Sequence, residues 1–230
     1  VSAESGVPTF RDAQTGHCLG LASAKHYDRE EYPVDKAQRK RDRNRQGLDQ
    51  KESYRWYEEV AHAVKYGNGL ANSYTVVADR EADIYELFTA LSDLEVGFVI
   101  RSFQNRRLKD DSFSNLQQAL DAKAVQGQYN LAVPATDKRS AHLATLEVKW
   151  KPIELARPRS GTGTKHLVDS QAVMVVDVRE NPSSVVGKEK PIHWRLLTSH
   201  EVQNMSDALR IIGYYVWRWT IEQLFRTLKK

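Results

Sequence analysis

The stretch SDALRIIGYYVWRWTIEQLFRTLKK, residues 206–230, decides how the rest of the chain is read. Wound as a helix at about 100° per residue with Arg218 at zero, it puts Lys229 at about 20° and Glu222 at about 40°. On the same count Tyr215 falls at about 60° and Arg226 at about 80°. Tyr214, Trp217, Ile221, Leu224, Phe225 and Leu228 gather on another side, an apolar stripe wide enough to dock on a sheet. The polar side holds one carboxylate among three cations and a phenol. That grouping suits phosphate and metal. Pairing of Arg218 and Arg226 with Glu222 at a spacing of four residues accounts for it as well.

Composition sets wide bounds. The chain has 230 residues, 40% apolar and 28% charged, with a net charge of +4. That length supports a real core, in one domain with a large insertion or in two small ones. The basic excess permits a polyanionic partner without requiring one. The single cysteine, Cys18, excludes an internal disulfide, suits a reducing cytoplasm and is expected to be a small buried hydrophobe. No apolar run approaches the roughly 20 residues that span a membrane, and no signal peptide precedes Val1.

Working outward, residues 74–78 (Tyr-Thr-Val-Val-Ala) read as the best buried strand, with Asp79 at its end. Open α/β sheets place their sites at such strand tips. Asp83 is expected to cap the next helix, with Glu86 three residues on as in a capping box. Ile84, Leu87, Phe88 and Leu91 would form its inner face. Residues 96–100 make a second buried strand tipped by Arg101. Upstream, residues 1–7 and 17–24 read as a hairpin around Pro8, Gly16 and Gly20. Residues 35–50 form a cation-rich segment, a solvated run or a phosphate-contacting arm. Lys51-Glu52-Ser53 leads into a helix with Trp56, Val60, Ala61 and Val64 on one face. His62 lies in that helix without a second ligand at metal spacing. Downstream the period changes. Residues 128–134, 142–150, 173–178 and 193–198 alternate as strands, and Arg157, Arg159 and Lys165 flank Gly161 and Gly163 in a long hairpin tip.

Tyr215, Arg218, Glu222 and Lys229 together spell Tyr-x2-Arg-x3-Glu-x6-Lys. This resembles the signature of one group of bacterial insertion-sequence transposases, cut-and-paste enzymes with an RNase H-like domain and an Asp-Asp-Glu metal triad. Asp79-Arg80-Glu81-Ala82-Asp83 resembles the block around that group's second catalytic aspartate. Val99-Ile100-Arg101-Ser102 resembles its next strand, and Lys51-Glu52-Ser53 with Trp56 is a weaker echo of the preceding helix. The resemblance implies an α/β fold with an RNase H-like core in residues 1–103 and 200–230. A mainly β insertion, residues 104–199, would stand before the glutamate helix and beside the core rather than continue it.

The resemblance also implies roles. Asp79 and Glu222 would be catalytic and would hold Mg²⁺ or Mn²⁺, expected to lie close together in the folded chain. Arg101, Arg218, Arg226 and Lys229 would contact DNA phosphates. Tyr215 would donate to a phosphate or support the site from beneath. Trp194 would hold a base flipped out of the transposon end, unless it is simply core. The partners implied are transposon-end and target DNA and a second copy of the chain, in a bacterial cytoplasm near the nucleoid. The group's first catalytic Asp, at the end of the first core strand, has no counterpart. Asp12 does not qualify, because residues 6–11 contain Pro8 and are no buried strand. An incomplete core and no cleavage by this chain alone are therefore expected. Two other classes stay open: a non-catalytic DNA-binding remnant of a decayed mobile element, and a nuclease of another fold built on Asp79-Arg80-Glu81.

Overall fold

The computed structural model describes residues 9–21, 54–66, 71–110, 112–135, 140–159, 167–187 and 189–218. In chain order these form β1 (Thr9–Arg11), β2 (Cys18–Leu21), α1 (Tyr54–Tyr66), β3 (Thr75–Ala78), α2 (Tyr85–Asp93), β4 (Gly97–Arg101) and α3 (Leu116–Asp121). Then follow β5 (Gly127–Val133), β6 (His142–Ala156), β7 (Ser170–Glu180), β8 (His193–Thr198) and α4 (Met205–Trp217). The expected cation-rich segment, residues 35–50, lies outside the described residues.

One six-stranded sheet runs β3-β4-β8-β7-β6-β5. β3 and β4 pair in parallel around the α2 crossover, and every other pair is antiparallel. Parallel neighbours need such a crossover, whereas β5 to β8 run as hairpins and returns. The downstream strands therefore extend the α/β sheet. β8 pairs directly with β4, Val99 opposite Thr198 and Ile100 opposite Leu197. This corrects the expectation of a β unit standing beside the core. The join is reinforced by side chains: the Thr198 hydroxyl donates to the Phe98 carbonyl (2.7 Å), and the Phe98 amide donates to the Ser199 hydroxyl (3.0 Å). Two hydroxyls thus satisfy backbone groups just past the paired register.

Strand alternation divides the core in two. Phe98, Ile100, Val173, Val175 and Leu197 face one way, under α1, α2 and α3. Val99, Val176, Val178, Trp194 and Leu196 face the other, under α4. β3 is less buried than its sequence promised, with only Ala78 fully covered, because it is the sheet's last described strand on that side.

The β1–β2 hairpin forms its own small sheet, with Thr9–Arg11 as its first described strand, and residues 1–7 lie outside the described residues. Gly16 in its turn has φ +71°, and a Cβ there would sit 2.6 Å from the Trp217 ring. Only glycine meets both conditions. Asp12 follows a strand after all, but its carboxylate accepts the amides of Gln14 and Thr15 and the Thr15 hydroxyl, closing that turn. Those bonds, the Thr15 amide foremost, hold its pKa below the ordinary value. Cys18 is exposed rather than buried.

Candidate functional site

The site is built where the C-terminal tips of β3 and β4 meet the end of α4. Asn204 caps α4, its side chain accepting the Asp207 amide. Ala208, Ile211, Ile212 and Tyr215 then recur at helical spacing and are buried against the sheet. This corrects the face assignment made from the sequence. The docked stripe centres on Tyr215, with Tyr214 only partly buried against the same core, and it is the angular sector that also holds Arg218. The reason is position along the axis. Over the body of the sheet that sector must be apolar, and past the strand tips it can be charged. Tyr214 also packs on His200 (6.1 Å between centroids), and Trp217 packs on the Gly16 turn.

At the tips, Asp79 caps a short 3-10 helix, Arg80–Ala82, with Oδ1 accepting the Arg80 amide at 2.7 Å. Its Oδ2 lies 3.5 Å from the Arg218 guanidinium, with the Asp79 side chain 40% exposed and that of Arg218 17%. Arg101, on the neighbouring tip, donates to the Tyr215 hydroxyl (3.3 Å) and to the His193 carbonyl (2.9 Å). Both guanidinium groups lie over the Tyr215 ring, Arg101 at 6.0 Å and Arg218 at 5.5 Å from its centroid. Tyr215 is fully buried. Burial, then the Asp79 charge, raises the pKa of its phenol. Tyr215 is thus a floor beneath two arginines, its electron-rich face turned toward cations.

Four of the expected residues, Asp79, Arg101, Tyr215 and Arg218, therefore come together. Glu222, Arg226 and Lys229 lie outside the described residues, as does Lys165. Trp194 is 3% exposed, its ring 5.7 Å from that of Tyr215 in the α4 core. In this fold it has no open face for a base.

Sequence reasoning misread Asp83. It does not cap α2, whose N-cap is Ile84 with no side-chain bond. Asp83 is buried, and its carboxylate takes the Ser102 hydroxyl (2.9 Å), the Phe103 and Gln104 amides (3.1 and 3.2 Å) and Arg106 (Nε 2.8 Å). Its carbonyl accepts from Gln104 and Arg106 as well. One carboxylate thus ties the segment after Asp79 to the segment after Arg101. The signal available was the pair of cationic and small polar residues at Arg106 and Ser102, with nothing in spacing to join them to Asp83.

A second buried acid, Asp177, is held by His193 (2.8 Å), Arg179 (2.8 Å) and Arg195 (3.4 Å). Burial alone would raise its pKa, but the His193 hydrogen bond and the neighbouring His193, Arg179 and Arg195 side chains outweigh it, and the carboxyl stays below the ordinary value.

A family model described as the transposase DDE domain matches residues 58–230, and the chain belongs to that family. It is accordingly a transposase of the DDE type, a DNA-processing enzyme whose substrates are DNA, and its mixed α/β fold fits that assignment. The family generally uses divalent metal ions. Among the described residues no three His, Cys, Asp or Glu side chains cluster to hold one. No described helix is long and apolar enough to cross a membrane.

Proposed function

We propose that the chain carries part of the catalytic centre of an insertion-sequence transposase, with an RNase H-like core. Asp79 and Glu222 are its carboxylate ligands, and Arg101 and Arg218 hold DNA phosphates beside them. The observation that supports this is the approach of Arg218 to Asp79 at 3.5 Å, which joins the helix of the Tyr-x2-Arg-x3-Glu signature to the strand tip of the aspartate. In a helix that continues past Arg218, Glu222 stands one turn on, in the same sector.

The donor chemistry fits a hard cation. Asp79 offers a partly exposed carboxylate oxygen, and Mg²⁺ or Mn²⁺ takes oxygen ligands from one or two carboxylates together with substrate phosphates. When bound, paired divalent ions stabilise the attacking and leaving oxygens of an in-line phosphoryl displacement. The chain's own side chains do the holding. A partly exposed pair such as Arg218–Asp79 is worth at most about 1 kcal/mol, so Arg218 exchanges readily from carboxylate to phosphate. Arg101, fixed by Tyr215 and the His193 carbonyl, keeps further N–H donors in the planar fork that matches a phosphate. On the same helical count Arg226 and Lys229 fall in that sector, and they are assigned to phosphates further along the strand. A homodimer on paired transposon ends is the assembly this reading calls for.

Proximity is the direct test. With Cys18 replaced by Ser, Asp79→Cys and Glu222→Cys are introduced together and treated with a short thiol–thiol cross-linker. Efficient intramolecular linkage is expected, and it should drop when Glu222→Cys is moved to position 224. Equal linkage at both positions, or none at either, would end the assignment of Glu222 as partner to Asp79.

A further inference from the structure

The segment that leaves Arg101 does more than close a loop. After the Asp83 clamp, residues 107–109 pair along the end of β6: the Lys109 amide donates to the Glu154 carbonyl (2.8 Å), and the Ala156 amide donates to that of Arg107 (2.9 Å). Leu108 bridges to Leu155 and is buried. Alternation about that anchor leaves Arg107 and Lys109 on the open side, both exposed. Across from them stand Arg157 and Arg159, at the start of the β6–β7 hairpin tip. The four line a cleft of about 450 Å³, with Asp169 as the acid on its wall.

Bonds hold this gathering of like charge in place. Arg107 donates to the Arg157 carbonyl (2.9 Å). Arg157 donates to the Leu167 carbonyl (2.9 Å) and pairs with Asp169 at 2.8 Å. Glu154, beside the cleft, accepts from Ser170. Of the residues that line the cleft, four are cations and one, Asp169, is a carboxylate. Like charges brought together around a concavity repel unless an anion completes the set. A folded surface usually intersperses its charges instead.

We propose that this cleft is a second DNA site, in which Arg107, Lys109, Arg157 and Arg159 grip backbone phosphates of the same duplex whose end lies at Asp79. The proposal rests on the reading of Asp79, Arg101 and Arg218 as the DNA-processing centre. Continuity supports it: one short segment, fixed by Asp83, runs from Arg101 to Arg107 and Lys109. A site of this kind reads no sequence; it sets register and orientation on the duplex. It also gives a purpose to the rigidity of the Asp83 clamp, which fixes the spacing between two phosphate grips.

The test is a titration of the 230-residue chain with plain duplex DNA over a range of salt. The variants are Arg107→Gln with Arg159→Gln, Lys109→Gln alone, and Arg101→Gln as a control on the first site. Each lost phosphate contact should lower the log–log salt slope by about 0.9, so the double variant should lose about twice that. Arg107→Lys with Arg159→Lys should restore most of it. The cleft side chains substituted are exposed, and melting temperatures should stay close to the parent's. A slope lowered by Arg101→Gln and untouched by every cleft variant would overturn the cleft and leave the first site standing. The reverse result would support the cleft and remove Arg101 from the DNA path. If the cleft variants instead weaken only pyrophosphate binding, the cleft takes small anions and the proposal fails.

Discussion

At the scale of single residues, the side chains that define this site are set by what surrounds each charge. Asp79 has one oxygen tied to its own backbone turn and the other turned toward Arg218, half open to solvent. Asp83, four residues later, has none of that freedom. Its side chain is wholly buried and spends its lone pairs on two amides, a hydroxyl and Arg106, whose side chain is itself only 8% exposed. Removing one partner of a buried pair leaves the other charge uncompensated, at roughly 3–5 kcal/mol. Asp83→Asn should therefore lower the unfolding free energy by about that amount in urea, although the shape of the side chain is kept. Adding Arg106→Met should return part of the loss, because the stranded guanidinium goes with it. A single-variant loss below about 1 kcal/mol would show that water, not Arg106, was the partner that mattered. Asp79→Asn, exposed and weakly paired, should cost less than about 1 kcal/mol by the same measurement.

Secondary-structure elements show where physics beyond local pattern decides. His200, just past β8, lies between β3, β4 and α4: its Nε2 is 2.9 Å from the Thr75 hydroxyl, its ring is 6.1 Å from that of Tyr214, and a Cβ on Gly97 would come within 2.9 Å of it. Burial, then the charge of Arg210, lowers its pKa from the ordinary value near 6.5. The folded protein therefore holds this imidazole neutral where the unfolded chain would protonate it. Stability from this group is present above about pH 6.5 and is lost as pH falls from there toward the lowered folded value. Urea midpoints measured across that window should fall with acidity, and His200→Gln should flatten the fall. An unchanged pH slope in the variant would assign the effect elsewhere. The same elements show why only part of this was legible. Runs of Val, Leu and Ile gave β4, β7 and β8 their places, since a buried strand is written in its own residues. The pairing of β8 with β4 is written in no local pattern, because register between segments so far apart depends on Thr198 and Ser199 meeting Phe98. The buried side of α4 was misjudged for a related reason. A helical wheel sums along the axis, and within one sector this helix passes from the buried Ile211 and Tyr215 to the charged Arg218 at its end.

For the whole molecule, the question is how a chain with a net charge of only +4 engages a polyanion. Distribution answers it. Arg101 and Arg218 stand at the strand tips over Tyr215, and a second cationic group faces the cleft beside β6. Local fields of this kind attract DNA more strongly than the small net charge suggests. Cleavage makes a different demand, for several carboxylates converging on one point. Among the described residues at the strand tips, Asp79 is the carboxylate that faces Arg218, while Asp83 is buried and committed to Ser102, Phe103, Gln104 and Arg106. The proposed centre names Asp79 and Glu222, and Asp12, the other aspartate after a described strand, is committed to its own turn. Binding and cutting should therefore separate. Duplex DNA titrated with the 230-residue chain should bind weakly, with a log–log salt slope of about −0.9 per phosphate contact, and a parallel nicking assay in Mg²⁺ should show no product. Tight binding that ignores salt would remove the phosphate-holding roles of Arg101 and Arg218. Nicking that disappears in Asp79→Ala would show that a further ligand joins Asp79 and Glu222 from within these residues, and the expectation that binding and cutting separate would fall. The two assays answer separately, because the phosphate holding proposed for Arg101 and Arg218 needs charge alone, while cutting needs Asp79, Glu222 and a further acid gathered at one point.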